Sequence, residues 1–259
     1  MGGIVVIKCG GSMIESLTDD FYDSIKQMQS LGYKPVIVHG GGPAINKMLN
    51  DLNIESEFVN GLRKTTNEVM DVVEMVLTGS IANQLVRTLQ QKDISAIGIN
   101  GADGGLLQAK AKDRDQLGYV GEITTINQQL ILQLLALDFI PVISPIASGV
   151  DGEHCYNINA DTAAGEIAVA VGAEKLLFVT DVPGVLKDGK IIEKTTKNEL
   201  LALIDSGVIY GGMIPKVMAA IHGLDGGMAE AVIVSGTAPL LDGENIVGTM
   251  IRKEVEVVL

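Results

Sequence analysis

Short runs of consecutive apolar residues alternate along the chain with longer amphipathic segments. Apolar runs without polar alternation predict buried strands of a sheet that is covered on both faces. The clearest runs are Ile4–Ile7, Pro35–Val38, Ala96–Ile99, Phe139–Ser144, Leu176–Val179 and Ala231–Val234. The amphipathic segments predict helices over Asp19–Leu31, Ala44–Leu52, Asn67–Leu77, Ile126–Leu137, Thr162–Val171 and Pro215–Leu224. This alternation predicts an α/β fold with a mostly parallel, doubly wound central sheet.

Other segments predict hairpins. Lys110–Asp113 is expected to pair with Tyr119–Thr125, and Gly184–Leu186 with Lys190–Ile192 across a tight turn, while Asp151-Gly152 marks a third turn. No linker or repeat interrupts the chain. We therefore expect two lobes that share one continuous sheet, with the division near residues 173–175.

Composition narrows the classes of function. The 259 residues have a formal net charge of −13, and 47% are hydrophobic but only 3% aromatic. Nucleic acids and anionic membranes are poor partners for such a chain, because both attract basic surfaces. No apolar run approaches the roughly 20 residues that span a bilayer, and the N-terminal residues do not resemble a signal peptide. The two cysteines, Cys9 and Cys155, fit no metal-binding spacing, and we expect a cytoplasmic protein.

Glycine clusters follow the first two predicted strands. Gly10-Gly11 come after Lys8-Cys9, and Gly40-Gly41-Gly42 come after His39, with Pro43 suited to open the next helix. Glycine lets the backbone approach a ligand and turn several N–H groups toward an anion, which a helix N-terminus also attracts. Tight turns alone would also use glycine. Two clusters at successive strand ends favour anion binding.

Three known motifs are excluded. Gly184 to Lys190 has the spacing of a phosphate-binding P-loop, but Ile191 stands where that loop needs Ser or Thr, and the segment crosses a predicted hairpin. No G-x-G-x-x-G dinucleotide fingerprint occurs. The His39 loop is similar to a lipase oxyanion loop, yet no G-x-S-x-G accompanies it.

Two lysines lie where an anion would explain them. Lys8 ends a buried strand, and Lys216 is expected in the first turn of a helix that Pro215 opens. A cation is unfavourable at a helix N-terminus unless it faces an anion. Either lysine alone could be a surface charge, but the neighbouring glycine loops favour a shared anionic ligand.

The remaining polar residues suggest chemistry without a base. Asp161 could tether both lysines, with Asn157 and Asn159 as neutral donors; alternatively, Asn159 or Asp161 is only a helix N-cap. The three histidines form no metal-binding set. A hydroxyl acceptor would need a catalytic base, whereas a carboxylate acceptor is already ionised at neutral pH. Positioning and charge neutralisation would then suffice.

Six short motifs occur in an order that resembles one family. They are Lys8-x-Gly10-Gly11-Ser12, His39-Gly40-Gly41-Gly42-Pro43, Asn60-Gly61-Leu62-Arg63-Lys64-Thr65, Asn157-Ile158-Asn159-Ala160-Asp161, Thr180-Asp181-Val182-Pro183-Gly184-Val185 and Gly212-Met213-x-x-Lys216. From residue 4 to about residue 250, the chain resembles the amino acid kinase family. The resemblance is closest to the branch that phosphorylates N-acetyl-L-glutamate in arginine biosynthesis.

The resemblance implies a three-layer αβα sandwich. Residues 1–173 would bind the acyl substrate and dimerise, and residues 174–259 would bind ATP. Lys8 and Lys216 would stabilise the phosphoryl group in transfer, and Asp161 would hold both lysines. Residues for N-acetylglutamate would be Gly41, Gly42, Arg63, Asn157 and Asn159, with Arg63 taking the α-carboxylate. Residues for ATP would be Gly10, Gly11, Thr180, Asp181, Pro183, Gly184, Leu186, Tyr210 and Met213.

The resemblance also implies the product, the metal and the assembly. The product would be N-acetyl-L-glutamyl 5-phosphate. Mg²⁺ would be carried by the nucleotide phosphates, so no protein ligand for it is expected. Arginine-inhibited members resemble hexamers joined by an additional N-terminal helix, and because this chain begins at its first strand we expect an arginine-insensitive homodimer.

Alternative functions stay open at this point. One is a kinase for a related acid, such as an aminoadipate derivative, and another is a non-catalytic sensor of an amino acid or nucleotide. Glutamate 5-kinase and aspartokinase fit less well because they usually carry additional C-terminal domains, and uridylate kinase because Asn60–Thr65 does not suit a second nucleotide.

Overall fold

The computed structural model describes residues 2–253, so the outer ends of the two predicted lobes, Met1 and 254–259, lie outside the described residues. The strands, numbered in chain order, are β1 (Ile4–Cys9), β2 (Lys34–His39), β3 (Phe58–Val59), β4 (Leu62–Arg63), β5 (Ala96–Asn100), β6 (Leu107–Ala111), β7 (Gly121–Ile126), β8 (Ile140–Ser144), β9 (Ile146–Gly149), β10 (Cys155–Asn157), β11 (Lys175–Thr180), β12 (Leu186–Lys187), β13 (Lys190–Ile191), β14 (Lys194–Thr196), β15 (Glu230–Ser235), β16 (Leu241–Asp242), β17 (Asn245–Ile246) and β18 (Thr249–Arg252).

The helices lie mainly between these strands, as the sequence pattern predicts. They are α1 (Asp19–Ser30), α2 (Gly42–Asp51), α3 (Asn67–Glu74), α4 (Asn83–Gln91), α5 (Arg114–Leu117), α6 (Gln128–Ala136), α7 (Ala160–Ala170), α8 (Lys197–Asp205) and α9 (Met213–Asp225). A π-helical segment, Met75–Ala82, joins α3 to α4, and a 3₁₀ turn covers Asp103–Gly105.

Eight strands form the central sheet in the order β14-β18-β15-β11-β1-β2-β8-β5. Pairing is parallel throughout except between β15 and β18, which are antiparallel. The prediction of an α/β fold with a mostly parallel central sheet is therefore confirmed. β1 pairs directly with β11, so the sheet continues across the expected division between the lobes.

Helices cover both faces of this sheet and divide the core into two layers. Val5 and Ile7 of β1 belong to a buried cluster with α1 and α3. Val6, between them, belongs to a second cluster with α7 and α9. Side chains alternate between the two faces of a strand, so this register decides which helix each β1 side chain meets.

The predicted helix Asn67–Leu77 is too short, because the helix continues through the π-helical segment to Gln91. Gly79 and Ser80 interrupt the apolar pattern without ending the helix. By length and composition, Asn67–Gln91 is the one described helix that could span a membrane. This corrects the expectation that no apolar stretch approaches that length. Half of the most apolar part of this helix is buried against the rest of the protein.

The structure also corrects one predicted hairpin. β6 and β7 pair as expected, but they end at Ala111 and begin at Gly121. The residues between them form the short helix α5, which Asp113 caps by accepting a hydrogen bond from Gln116 N. The hairpins β12–β13 and β9–β10 occur at the predicted turns. Helices α4 and α8 were not predicted.

His39 fixes the start of the second glycine loop from inside the sheet. Its side chain is fully buried at the end of β2, with Nδ1 3.1 Å from Gly40 O and Nε2 3.1 Å from Ser144 Oγ. A carbonyl oxygen can only accept, so Nδ1–H donates to Gly40, and Nε2 accepts from the Ser144 hydroxyl. Burial lowers the pKa of His39 from the usual 6.5 to about 4.

We expect the free energy of unfolding to fall on acidification because of His39. The unfolded imidazole takes up a proton near pH 6.5, whereas the folded one does so only near pH 4. The stabilisation is therefore complete above about pH 6.5 and is lost as the pH falls toward 4, by up to about 3 kcal/mol. Urea unfolding midpoints between pH 7.5 and pH 4.5 measure this loss, and His39→Asn, which cannot titrate, should show a shallower dependence.

Ser144→Ala is the matched control, since it removes the hydroxyl partner but keeps the titrating imidazole. It should lower stability at every pH and retain a steep acid dependence. An unchanged slope in His39→Asn would show that other groups cause the acid sensitivity.

Candidate functional site

A cavity of about 210 Å³ lies at the carboxyl ends of β1 and β2. The β3–β4 hairpin and the start of α7 also line it. Its walls include residues from four of the six motifs: Lys8, Gly11, Gly41, Gly42, Arg63, Asn157, Asn159 and Asp161. Ligands in parallel sheets bind at this end of the strands, so the location agrees with the fold.

Lys8 and Asp161 form an ion pair in the wall of this cavity. Lys8 lies on the same face of β1 as Val6, which is the face that α7 covers. Its Nζ is 2.8 Å from Asp161 Oδ1, and the side chains are only 6% and 11% exposed. The same Oδ1 makes no hydrogen bond of favourable angle. Charge and proximity therefore hold the pair, and the carboxylate keeps capacity for a further cation.

Lys216 lies within electrostatic range of this pair. Burial lowers its pKa below the usual value, while Asp161 raises it, Lys8 lowers it and Asp181 raises it. The Nζ of Lys216 donates to Gly212 O at 2.9 Å. The structure thus brings Lys8, Asp161 and Lys216 into one electrostatic group, with only Lys8 in direct contact with Asp161.

The helix that carries Lys216 begins earlier than predicted. α9 starts at Met213, so Pro215 occupies its third position and does not open it. Proline is tolerated there because the N–H groups of the first turn have no intrahelical acceptor. Lys216 is consequently just beyond the first three residues of the helix.

The two glycine loops are in backbone contact. A Cβ on Gly11 would lie 2.5 Å from Gly41 N and 2.7 Å from Gly42 N. A Cβ on Gly41 would lie 2.5 Å from the side chains of Leu77 and Ile81. Gly11 is therefore required for the close approach of the two loops, and Gly41 packs tightly against the π-helical segment, in addition to any contact with a ligand. Gly10 is buried beside β11, where its N–H donates to Val179 O at 3.4 Å.

Arg63, on the β3–β4 hairpin, is a second buried cation in the cavity wall. Its guanidinium donates to Ser56 Oγ, to Asn46 Oδ1 at 2.6 Å and to Gly42 O at 3.4 Å, and it lies 4.6 Å from the centre of the Phe58 ring. Burial lowers its pKa. Among residues 2–253, no carboxylate forms an ion pair with it. A buried cation held only by neutral groups is a favourable site for an anionic ligand.

The two asparagines have different surroundings. Asn159 Oδ1 accepts from the backbone N–H groups of Asp161 and Thr162, both at 3.0 Å, and so caps α7. The alternative of an N-cap is therefore correct for Asn159, which leaves only its Nδ2 for a ligand. Asn157 Nδ2 donates to Thr65 Oγ1 at 3.2 Å.

The predicted ATP residues lie outside the cavity, except for Gly11. Thr180 ends β11 and donates to Asp181 Oδ1 at 3.0 Å, and Asp181 and Pro183 are exposed. Tyr210 and Leu186 are 76% and 41% exposed, and Met213 is half-buried. Gly184 is buried against Thr249 and has a packing role.

Sequence reasoning missed the neutral residues that hold Arg63 and Asn157. Asn46, Ser56 and Phe58 lie outside every recognised motif, and no sequence signal marks them. Thr65 does end a recognised motif, although its hydroxyl was given no role. No group of three or more His, Cys, Asp or Glu side chains suited to a metal occurs within the described part of the chain.

Comparison with known proteins gives a consistent family. The model of the amino acid kinase family matches residues 3–235. Curated relatives named acetylglutamate kinase include that of Geobacillus thermodenitrificans, 53% identical over 98% of both chains. Another, from Geobacillus stearothermophilus, is 51% identical over the whole of both chains. The crystal structure of smu.665 from Streptococcus mutans UA159 is similar with a TM-score of 0.86 and 36% identity, over 96% of this chain and 98% of that one. The chain belongs to the amino acid kinase family.

Proposed function

We propose that this protein uses ATP to phosphorylate the side-chain carboxylate of N-acetyl-L-glutamate, a step of arginine biosynthesis. The observation that carries the proposal is one cavity lined by two buried cations, Lys8 and Arg63. A dicarboxylate can bind Arg63 through one end and present the other end to Lys8. Relatives about 50% identical over their full length carry the name of this activity.

The reaction in this cavity needs charge stabilisation more than proton transfer. An oxygen of the side-chain carboxylate attacks the γ-phosphorus of ATP, and the bond from that phosphorus to the β–γ bridging oxygen breaks. N-acetyl-L-glutamyl 5-phosphate and ADP form, with no proton taken from the acceptor. Lys8 and Lys216 would neutralise the phosphoryl oxygens in transit, and Asp161 would orient the lysines. The N–H groups of Gly41 and Gly42 would position the attacking carboxylate.

ATP would bind on the C-terminal side, between the Asp181–Leu186 loop and the start of α9. Lys216 and the N-terminus of α9, which no side chain caps, support this placement, because a cation and free helix N–H groups both favour an anion. Mg²⁺ would enter with the nucleotide phosphates and spread their charge. The cytoplasm, where ATP is available, is the compartment that we propose, and both cysteines are free thiols.

The activity is tested by trapping the acyl phosphate as its hydroxamate. The full chain is incubated with MgATP and hydroxylamine, and with N-acetyl-L-glutamate, free glutamate, aspartate or N-acetyl-aminoadipate in parallel. We expect the highest kcat/KM for N-acetyl-L-glutamate. A higher kcat/KM for another acid would overturn the substrate, and turnover with none of them would favour a non-catalytic sensor.

Replacing either lysine should slow the chemical step. Lys8→Ala and Lys216→Ala each remove a cation that would face the transferring phosphoryl group, so we expect kcat to fall on the order of 10²–10³-fold. Steady-state kinetics with both substrates measure this effect. Near-normal kcat in both variants would contradict the assigned roles.

Arg63→Ala provides the contrast, because the guanidinium of Arg63 would contact the α-carboxylate, which does not react. It should raise the KM for the acid and leave the KM for ATP nearly unchanged. An equal loss of ATP affinity would show that the two substrates are assigned to the wrong sides of the cavity.

We also propose a homodimer formed through the β5 edge of the sheet. β5 pairs with β8 on one side only, within the described sheet, and carries Ile97, which is 37% exposed. A free apolar edge is a common pairing surface. Sedimentation should give the mass of two chains, and Ile97→Asp should dissociate them, whereas Val247→Asp, at another exposed apolar position, should not. A monomeric wild type would overturn the proposal.

A further inference from the structure

The hydroxyl of Thr65 lies behind the cavity, between two residues that line it. Thr65 is fully buried, and its Oγ1 is 2.8 Å from Arg63 O and 3.2 Å from Asn157 Nδ2. Its backbone is fixed on both sides, because its N–H donates to Leu117 O and its carbonyl accepts from Tyr119 N. The hydroxyl therefore has little freedom to choose other partners.

These contacts determine the direction of each hydrogen bond. A hydroxyl has one proton, and the carbonyl oxygen of Arg63 can only accept, so Thr65 donates to Arg63. Thr65 must then accept from Asn157, which only the Nδ2 end of that amide can satisfy. The opposite orientation of the Asn157 amide would place two acceptors 3.2 Å apart with no proton between them.

The fixed orientation leaves the carbonyl end of the Asn157 amide for a ligand. Asn157 lines the cavity, and its Oδ1 accepts no hydrogen bond from any residue that the structure describes. An oxygen in this position is suited to an N–H donor. Arg63, which Thr65 also contacts through the backbone, lies in the same wall and is suited to a carboxylate.

We propose that Thr65 is a positioning residue that orients the Asn157 amide. In this orientation, Asn157 Oδ1 accepts a hydrogen bond from the amide N–H of an N-acylated substrate. The inference rests on the proposed function, because it deepens the recognition of the acyl acid at the same site. It adds a criterion for selection that charge cannot supply. Two acids of equal charge and shape differ in this cavity when only one carries an N–H between its α-carbon and its acyl group.

The probe is the ester analogue of the substrate, (S)-2-acetoxyglutarate, in which oxygen replaces the amide nitrogen. It keeps both carboxylates and the acetyl group but lacks the N–H. Wild type should prefer N-acetyl-L-glutamate by at least about tenfold in kcat/KM, since the ester leaves Asn157 Oδ1 without a donor. Hydroxamate trapping measures both compounds in the same assay.

The Thr65 variants then separate positioning from general structural support. Thr65→Val keeps the shape but removes the hydroxyl, so we expect the KM for the amide to rise roughly tenfold, with the KM for the ester and for ATP changed far less. The amide-to-ester preference should fall accordingly. Thr65→Ser should restore it. The control is Thr124→Val, which removes a hydroxyl that donates to Gln108 O on an exposed strand position and should leave the preference unchanged.

Three results would overturn the inference alone. The first is a wild type that uses the amide and the ester equally well, which would leave the proposed function intact. The second is an equal rise of KM for both compounds in Thr65→Val, and the third is a preference unchanged in that variant. Absence of turnover with either compound in wild type would overturn the proposed function together with this inference.

Discussion

The rest of the site depends on the buried ion pair between Lys8 and Asp161. Transferring a lone lysine into the sheet would be strongly unfavourable, so a buried strand that carries Lys8 requires an anion on the covering helix. The 2.8 Å contact supplies it, and the Asn159 cap fixes the first turn of α7 that carries Asp161. The glycine loops can then close around this pair, because no Cβ separates Gly11 from Gly41.

Because two cations and one carboxylate line the cavity, its local charge is opposite to that of the whole chain. The protein has a net charge of −13, yet the cavity is lined by Lys8 and Arg63 with Asp161 as the paired carboxylate, and Lys216 lies within electrostatic range of that pair. Charges at a few ångströms in a poorly hydrated wall outweigh distant surface charges, which solvent and salt screen. An acidic protein can therefore hold two anionic substrates in one place.

The sequence could predict features that depend on local pattern. The buried runs located β1, β2, β8 and β11, and the glycine clusters marked the end of the sheet where the cavity lies. It could not predict contacts that join distant segments, such as Arg63 with Asn46 or Asn157 with Thr65, which lie 17 and 92 residues apart. Helix boundaries also could not be predicted. The start of α9 before Pro215 depends on how Gly211 and Gly212 turn, and local propensity allows several starts.

Unlike Lys8, the cations Arg63 and Lys216 form no ion pair within the described part of the chain. Arg63 is held by amide, hydroxyl and carbonyl groups and by an aromatic ring, and Lys216 by the carbonyl of Gly212. These partners accept hydrogen bonds without cancelling the charge. Burial lowers the pKa of both Arg63 and Lys216, because desolvation makes their charged forms less favourable. An anion that binds offsets this unfavourable desolvation of the cations. Because the cations are already desolvated before binding, their attraction for the substrate is stronger.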